Sequence, residues 1–195
     1  MRLNFEVWAQ LFLSENDCER VRSFLIDHEG IRPKHVMKRL HITVYHARRP
    51  MPALRTGSEP VCLILPAEET RFMVMAPGGE NPRPELDPAV RKIGIRIQWQ
   101  SSAMPAIQAF RQHLIAHETS SVLGNRKKST RRTSAFGARS FQPHMVLLRA
   151  GSGDFQSLSM LGKRFRSSVG DLHFDRFVIE SVCLTSEPSP SNHTY

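Results

Sequence analysis

The chain has 195 residues, 40% of them hydrophobic, with a formal net charge of +9 from 27 Lys+Arg against 18 Asp+Glu. That apolar share is enough to bury a core in one domain, or in one domain of two closely packed lobes, and excludes a chain disordered throughout. The positive balance favours polyanions such as nucleic acid, a nucleotide or an acidic membrane surface, although it also suits a plain basic protein.

In chain order, residues 4–13 (NFEVWAQLFL) read as an apolar and aromatic strand. Ser14, with Asp17 three residues on, offers an N-cap to a helix over 15–28 whose buried face takes Val21, Leu25 and His28 with Phe24 beside them. Gly30 and Pro33 end it. A short strand follows at 39–46, with Leu40, Ile42 and Val44 alternating against His41, Thr43 and Tyr45. Residues 47–60 read as a loop, 61–65 and 71–75 as strands, and the proline- and glycine-rich 77–88 as a lobe-joining linker. The pattern then recurs. A strand at 91–99 alternates Ile93, Ile95 and Ile97 against basic and polar residues, and Ser101 or Ser102 caps a helix over 103–117 with Met104, Ile107, Phe110 and Leu114 as its stripe. A loop of about 20 residues leads to a strand at 143–149, a last strand spans 173–184, and the tail 187–195 reads as disordered.

Strand, helix and histidine-bearing strand thus occur twice, without sequence identity between the halves. The expected class is α+β: residues 1–186 as a single bilobal domain, with mixed or antiparallel sheets about a pseudo-twofold, helices packed outside and a central groove. The three cysteines, Cys18, Cys62 and Cys183, form no C-x-x-C pair and read as small core residues. No apolar run reaches the roughly 20 residues of a membrane span, and the first residues lack a signal-peptide layout. A cytoplasmic, membrane-free monomer is expected.

The chemistry concentrates at His41 and His144. In L-H-I-T-V, His41 and Thr43 stand two apart and share a strand face, setting an imidazole beside a hydroxyl. An imidazole exchanges protons near neutral pH and a hydroxyl donates to a phosphate oxygen. His144, in Q-P-H-M-V-L-L-R, holds the corresponding place in the second half. Across a groove, two such histidines could serve in-line displacement at phosphorus, one taking a proton from the attacking oxygen and the other giving one to the leaving oxygen. The plain alternative is that a histidine among Leu, Ile and Val is a satisfied core residue. The loop 120–142 carries Arg126, Lys127, Lys128, Arg131, Arg132 and Arg139 with no acid between Glu118 and Asp154. Such a loop can draw in a phosphate backbone while Phe136 stacks on a base, or can be a solvated loop and no more. Tyr45 and His46 suit either a groove wall or the core. His113 and His117, four apart on a helix, lack the adjacent glutamate of a zinc-protease motif, and no Walker or dinucleotide-binding glycine motif is present. Neither a metal nor a cofactor is expected.

H41-I-T-V44 and F141-Q-P-H-M-V-L-L-R149 resemble the two H-x-T/S motifs of the 2H phosphoesterase superfamily, particularly its bacterial 2′-5′ RNA ligase-like branch. The second motif agrees with the family's common F-x-P-H-x-T-L-x-R at Phe141, Pro143, His144, Leu147 and Arg149, and the resemblance covers roughly residues 3–185. It implies a metal-independent phosphodiesterase acting on RNA or nucleotide 2′,3′-cyclic phosphates or 2′-5′ linkages. His41 and His144 would be the acid–base pair, Thr43 a phosphate donor and Arg149 a phosphate-binding arginine. Val146 stands where the family has Thr or Ser, removing one hydroxyl donor. Cleavage of cyclic di- or oligonucleotide signals is the rival within the enzyme class. A catalytically weakened RNA- or nucleotide-binding module, motivated by Val146, is the rival outside it. Strict alternation turns Arg149 away from His144, so it reaches the groove only from the strand end or past a bulge.

Overall fold

The computed structural model describes residues 4–47, 55–75, 91–122, 141–150 and 158–184. Strand β1 (Asn4–Leu13) gives way to helix α1 (Glu15–Ser23) at Ser14, whose Oγ accepts a hydrogen bond from the Asp17 amide at 3.3 Å. The helix continues through a π turn, Phe24–His28, and stops at Gly30, whose φ of 68° suits a residue without a Cβ. Val21, Phe24 and Leu25 are buried, but His28 is exposed: the wider turn carries it off the apolar face.

Strand β2 (His41–Ala47) follows, then β3 (Gly57–Leu65) and β4 (Thr70–Met75). β3 begins four residues before the expected 61, because an edge strand tolerates Pro60, which has no N–H to give. Cys62 on this edge is exposed rather than in the core, while Cys18 is partly buried. β5 (Arg91–Ile97), α2 (Met104–Val122) and β6 (His144–Ala150) repeat the earlier strand–helix–strand succession. On α2, Met104, Ile107 and Leu114 are buried, and Phe110 stacks on Phe177 at 4.5 Å. A helix the apolar pattern does not announce, α3 (Leu158–Val169), precedes β7 (Leu172–Leu184). The expected linker 77–88 and tail 187–195 lie outside the described residues.

The strands form one antiparallel sheet in the order β3-β7-β1-β2-β6-β5-β4. The fold is therefore α+β, and the sheets expected of the two halves are continuous, joined at the β2–β6 pair Ile42↔Met145. β4 pairs with β5, and the last strand, β7, crosses back to pair with β1. Ile42, Ile95, Leu11 and Met145 on one sheet face are buried in a common core with Val21, Ile107, Leu114 and Phe165 of the helical segments. Each such side chain removed from water contributes about 1.5–3 kcal/mol, so the helix-covered face anchors the register of the opposite face.

The two central hairpin-like pairs share one register, position by position. In β1–β2, Phe12 faces His41, Gln10 faces Thr43, Ala9 faces Tyr45 and Trp8 faces His46. In β5–β6, Arg96 faces His144, Gly94 faces Val146, Ile93 faces Leu148 and Lys92 faces Arg149. Val44 and Leu147 are the unmatched residues, so both strands carry a bulge at the same place after the histidine. The backbone carbonyls of both bulged residues are satisfied from outside the ladder. Arg111 Nη1 donates to the Val44 oxygen at 3.1 Å, and the Met37 amide donates to the Leu147 oxygen at 2.8 Å.

Candidate active site

The face of the sheet opposite the buried Ile42 and Met145 holds a groove of about 510 Å³ whose walls include His41, Thr43, His144, Val146 and Arg149, with Trp8, Gln10 and Phe12 from β1 and Lys92 from β5. Period-two alternation places His41 with Thr43 on β2, and His144 with Val146 on β6, over the common floor. Because Ile42 opposes Met145, the ladder sets Thr43 across from His144 and His41 across from Val146. The histidines are thus diagonal neighbours, roughly 7–8 Å apart in an ideal antiparallel pair.

The bulges decide the remaining candidates. In β2 the extra residue sends both Val44 and Tyr45 into the core, each 1% exposed, and returns His46 to the groove side, where it stacks on Trp8 at 3.7 Å. Tyr45 is therefore a core residue and no part of the groove wall, contrary to unbroken alternation. In β6 the same device buries both Leu147 and Leu148 and returns Arg149 to the face of His144 and Val146. Phe136 and Arg139, with Arg126, Lys127, Lys128, Arg131 and Arg132, lie outside the described residues.

His144 is exposed, and its Nδ1 lies 2.8 Å from the Gln142 carbonyl oxygen. A carbonyl only accepts, so Nδ1 carries the proton and a neutral His144 keeps Nε2 as its basic atom. His41 is half-buried against Phe12, ring centroids 5.4 Å apart, with Nδ1 buried and without a well-formed hydrogen bond. Burial holds its pKa below the ordinary histidine value of about 6.5. The Arg39 carbonyl and Glu180 partly offset this, whereas the Arg39 charge and His144 add to it. A neutral imidazole and an anchored imidazole therefore share one cleft.

Sequence patterning missed the flanking walls. Trp8, Gln10 and Phe12 alternate along β1, a signal present in the sequence but unreadable without the β1–β2 register. Arg39, Met37 and Glu180 also line the groove, with Arg39 4.7 Å from the Phe12 ring centroid and 3.9 Å from Glu180. The two halves differ where it matters: Thr43 and Gln10 form a polar row in one, whereas Val146 and Gly94 form a donor-free row in the other. Among the described residues, no three or more His, Cys, Asp or Glu side chains are placed to hold a metal ion, and no helix is long and apolar enough to cross a membrane. No protein-family model matches the chain, and no curated protein matches it.

Proposed function

We propose that the chain is a metal-independent phosphodiesterase of the 2H phosphoesterase kind, acting on RNA or nucleotide 2′,3′-cyclic phosphates or 2′-5′ linkages. The observation that carries this reading is the opposed placement of His41 and His144 on adjacent strands at the floor of one groove, with Thr43 between them. On a cyclic phosphate, one imidazole takes a proton from water as the water oxygen bonds to phosphorus. The other protonates the ribose oxygen as its bond to phosphorus breaks, leaving a phosphomonoester. The depressed pKa of His41 keeps it neutral at pH 7 and suits it to the base role in this direction. The Thr43 hydroxyl donates to a non-bridging oxygen.

The test is a panel of cyclic phosphates, 2′-5′ oligonucleotides and cyclic dinucleotides, each with and without EDTA, read by mass spectrometry. Turnover of a cyclic phosphate or 2′-5′ linkage that survives chelation supports the reading. Turnover of cyclic dinucleotides alone replaces the substrate class, and activity restored only by a divalent ion overturns the mechanism.

The pH dependence follows from the same site. Activity should persist below pH 6.5, and the acid limb of kcat/KM should lie under the ordinary histidine pKa; a limb at or above 6.5 would place the base elsewhere. The same shift works on stability. The unfolded chain binds the His41 proton more readily, so as pH falls below 6.5 stability is lost, until the folded form is protonated too.

A binding module with weakened catalysis is the second reading, favoured by the donor-free Val146–Gly94 row. Val146→Thr separates the two at little change in volume. On an active enzyme it should raise kcat/KM, by less than the roughly 10–150-fold that a fully realised hydrogen bond to a charged oxygen would give. Tight nucleotide binding with no turnover by either form would favour the binding module.

A further inference from the structure

Glu180 is the one acid among the described residues that line the groove, and a carboxylate repels the phosphate such a groove would hold. Its ion pair with Arg39 does not account for its place. The two side chains meet at 3.9 Å, with 45% of Glu180 and 67% of Arg39 exposed, and an exposed pair of that kind contributes about 0–1 kcal/mol. Arg39 also lies over the Phe12 ring, 4.7 Å from its centroid, on the wall that flanks His41. An acceptor-only carboxylate thus stands beside a donor-only guanidinium at the groove wall, and little is lost when either turns to a ligand. The register adds a length. Thr43 faces Gln10, and Trp8, two residues further along β1, faces Glu180 of β7. Two residues of strand span roughly 7 Å, comparable to the ribose that separates a 2′,3′-phosphate from its own base. A phosphate held at Thr43 and the histidines therefore brings the base of the same nucleotide to Trp8 and Glu180. Trp8, half-buried and stacked on His46, gives that end of the groove an apolar wall.

We infer that Glu180 and Arg39 read the base of the bound nucleotide and select guanine, an assignment that rests on the phosphodiester reading of the groove. Guanine's outer edge offers two adjacent donors, N1–H and the N2 amino group, with the O6 acceptor beside them. The donors match the two carboxylate oxygens of Glu180, and O6 matches the Arg39 guanidinium. Adenine and cytosine each set a ring-nitrogen lone pair next to the amino group, where it meets the second carboxylate oxygen. Uracil sets a carbonyl on either side of its one N–H. Single-stranded bases are told apart by contacts of this kind on their exposed edges.

Titration calorimetry with the 2′-monophosphates of guanosine, inosine, adenosine, cytidine and uridine provides the test. Guanosine should bind at least about tenfold more tightly than adenosine, cytidine or uridine, the lower end of what one hydrogen bond to a charged group gives. Inosine, which lacks only the N2 amino group, should be weaker than guanosine by a similar factor. Glu180→Gln keeps the shape but replaces one acceptor oxygen by an N–H donor, so the ratio of guanosine to adenosine affinity should fall toward one. Adenosine affinity should hold or rise, which separates base reading from a general loss of groove structure. Equal affinities in the unsubstituted protein, preference for another base, or a guanosine preference that survives Glu180→Gln overturns the guanine assignment and leaves the phosphodiester reading standing. Failure of all five nucleotides to bind overturns the two together.

Discussion

His41→Ala and His144→Ala should each lower turnover by about 10²–10⁴-fold, the usual cost of removing one partner from a proton-transfer pair. The argument is geometric: diagonal neighbours across the β2–β6 junction could address opposite sides of one phosphorus, and among the described residues lining the groove these two are the histidines. The double variant should lose little more than the worse single one, because in the proposed mechanism the two histidines act as a unit. His144 is exposed, so its removal leaves packing intact, whereas His41 lies against Phe12. His41→Gln therefore accompanies His41→Ala, filling part of the volume without a group that titrates. Steady-state kinetics on variants whose thermal unfolding matches the parent provides the check. A folded single variant with near-parental kcat would remove that histidine from the chemistry.

The second large effect falls on Arg111, which is not among the residues that line the groove. Its guanidinium, 6% exposed, donates to the bulge carbonyl of Val44 and lies 4.3 Å over the ring of Phe141, three residues before His144. From the helical side it thus ties together the two strands that carry the histidines. Arg111→Met keeps most of the apolar stem but leaves the Val44 carbonyl without this donor. Loss of a charged hydrogen bond in a buried place costs about 1.5–3 kcal/mol, and loss of the ring contact adds to it. Urea unfolding should report a deficit of about 2–4 kcal/mol. At a temperature where the variant remains folded, kcat should fall about tenfold with KM little changed, because a displaced bulge misaligns His41 and Thr43 without removing ligand contacts. Arg111→Lys should recover part of the stability and less of the rate, since an ammonium cannot serve the carbonyl and the ring with one planar group. A stability loss with unchanged kcat would make Arg111 structural only.

The elements with strong local signals were legible in the sequence. Ser14 marks the start of α1, the isoleucine alternation marks β5, and the two histidine strands lie within two residues of their expected bounds. What escaped depends on partners remote in sequence. α3 contains Gly162, a poor helix former, and meets the sheet where Phe165 packs on Phe72 of β4 at 5.0 Å between ring centroids, a contact that no local pattern reveals. The crossing of β7 to β1 is likewise a property of topology. Within the site, His41, Thr43 and His144 follow from period two alone, and Val146 from the same register. Arg149 required a bulge, which the conflict between its motif position and strict alternation exposed. Tyr45 required the matching bulge in β2, where no such conflict gave warning.

The shared register of the two halves has a consequence for the ligand's own symmetry. Six paired positions and one bulge recur in each half, so the chain carries an internal alignment of two members, and the groove is as twofold as its backbone. The side chains have departed from that axis at nearly every wall position: Trp8 against Lys92, Gln10 against Gly94, Phe12 against Arg96, Thr43 against Val146. A ligand with a twofold axis, such as a cyclic homodinucleotide, would offer identical groups to an aromatic wall and a cationic one, and could suit only one of them. A strand with distinct ends meets no such mismatch, since its polarity can follow that of the walls. The backbone keeps the two histidines equivalent, while the walls would give a bound strand a direction in which to lie.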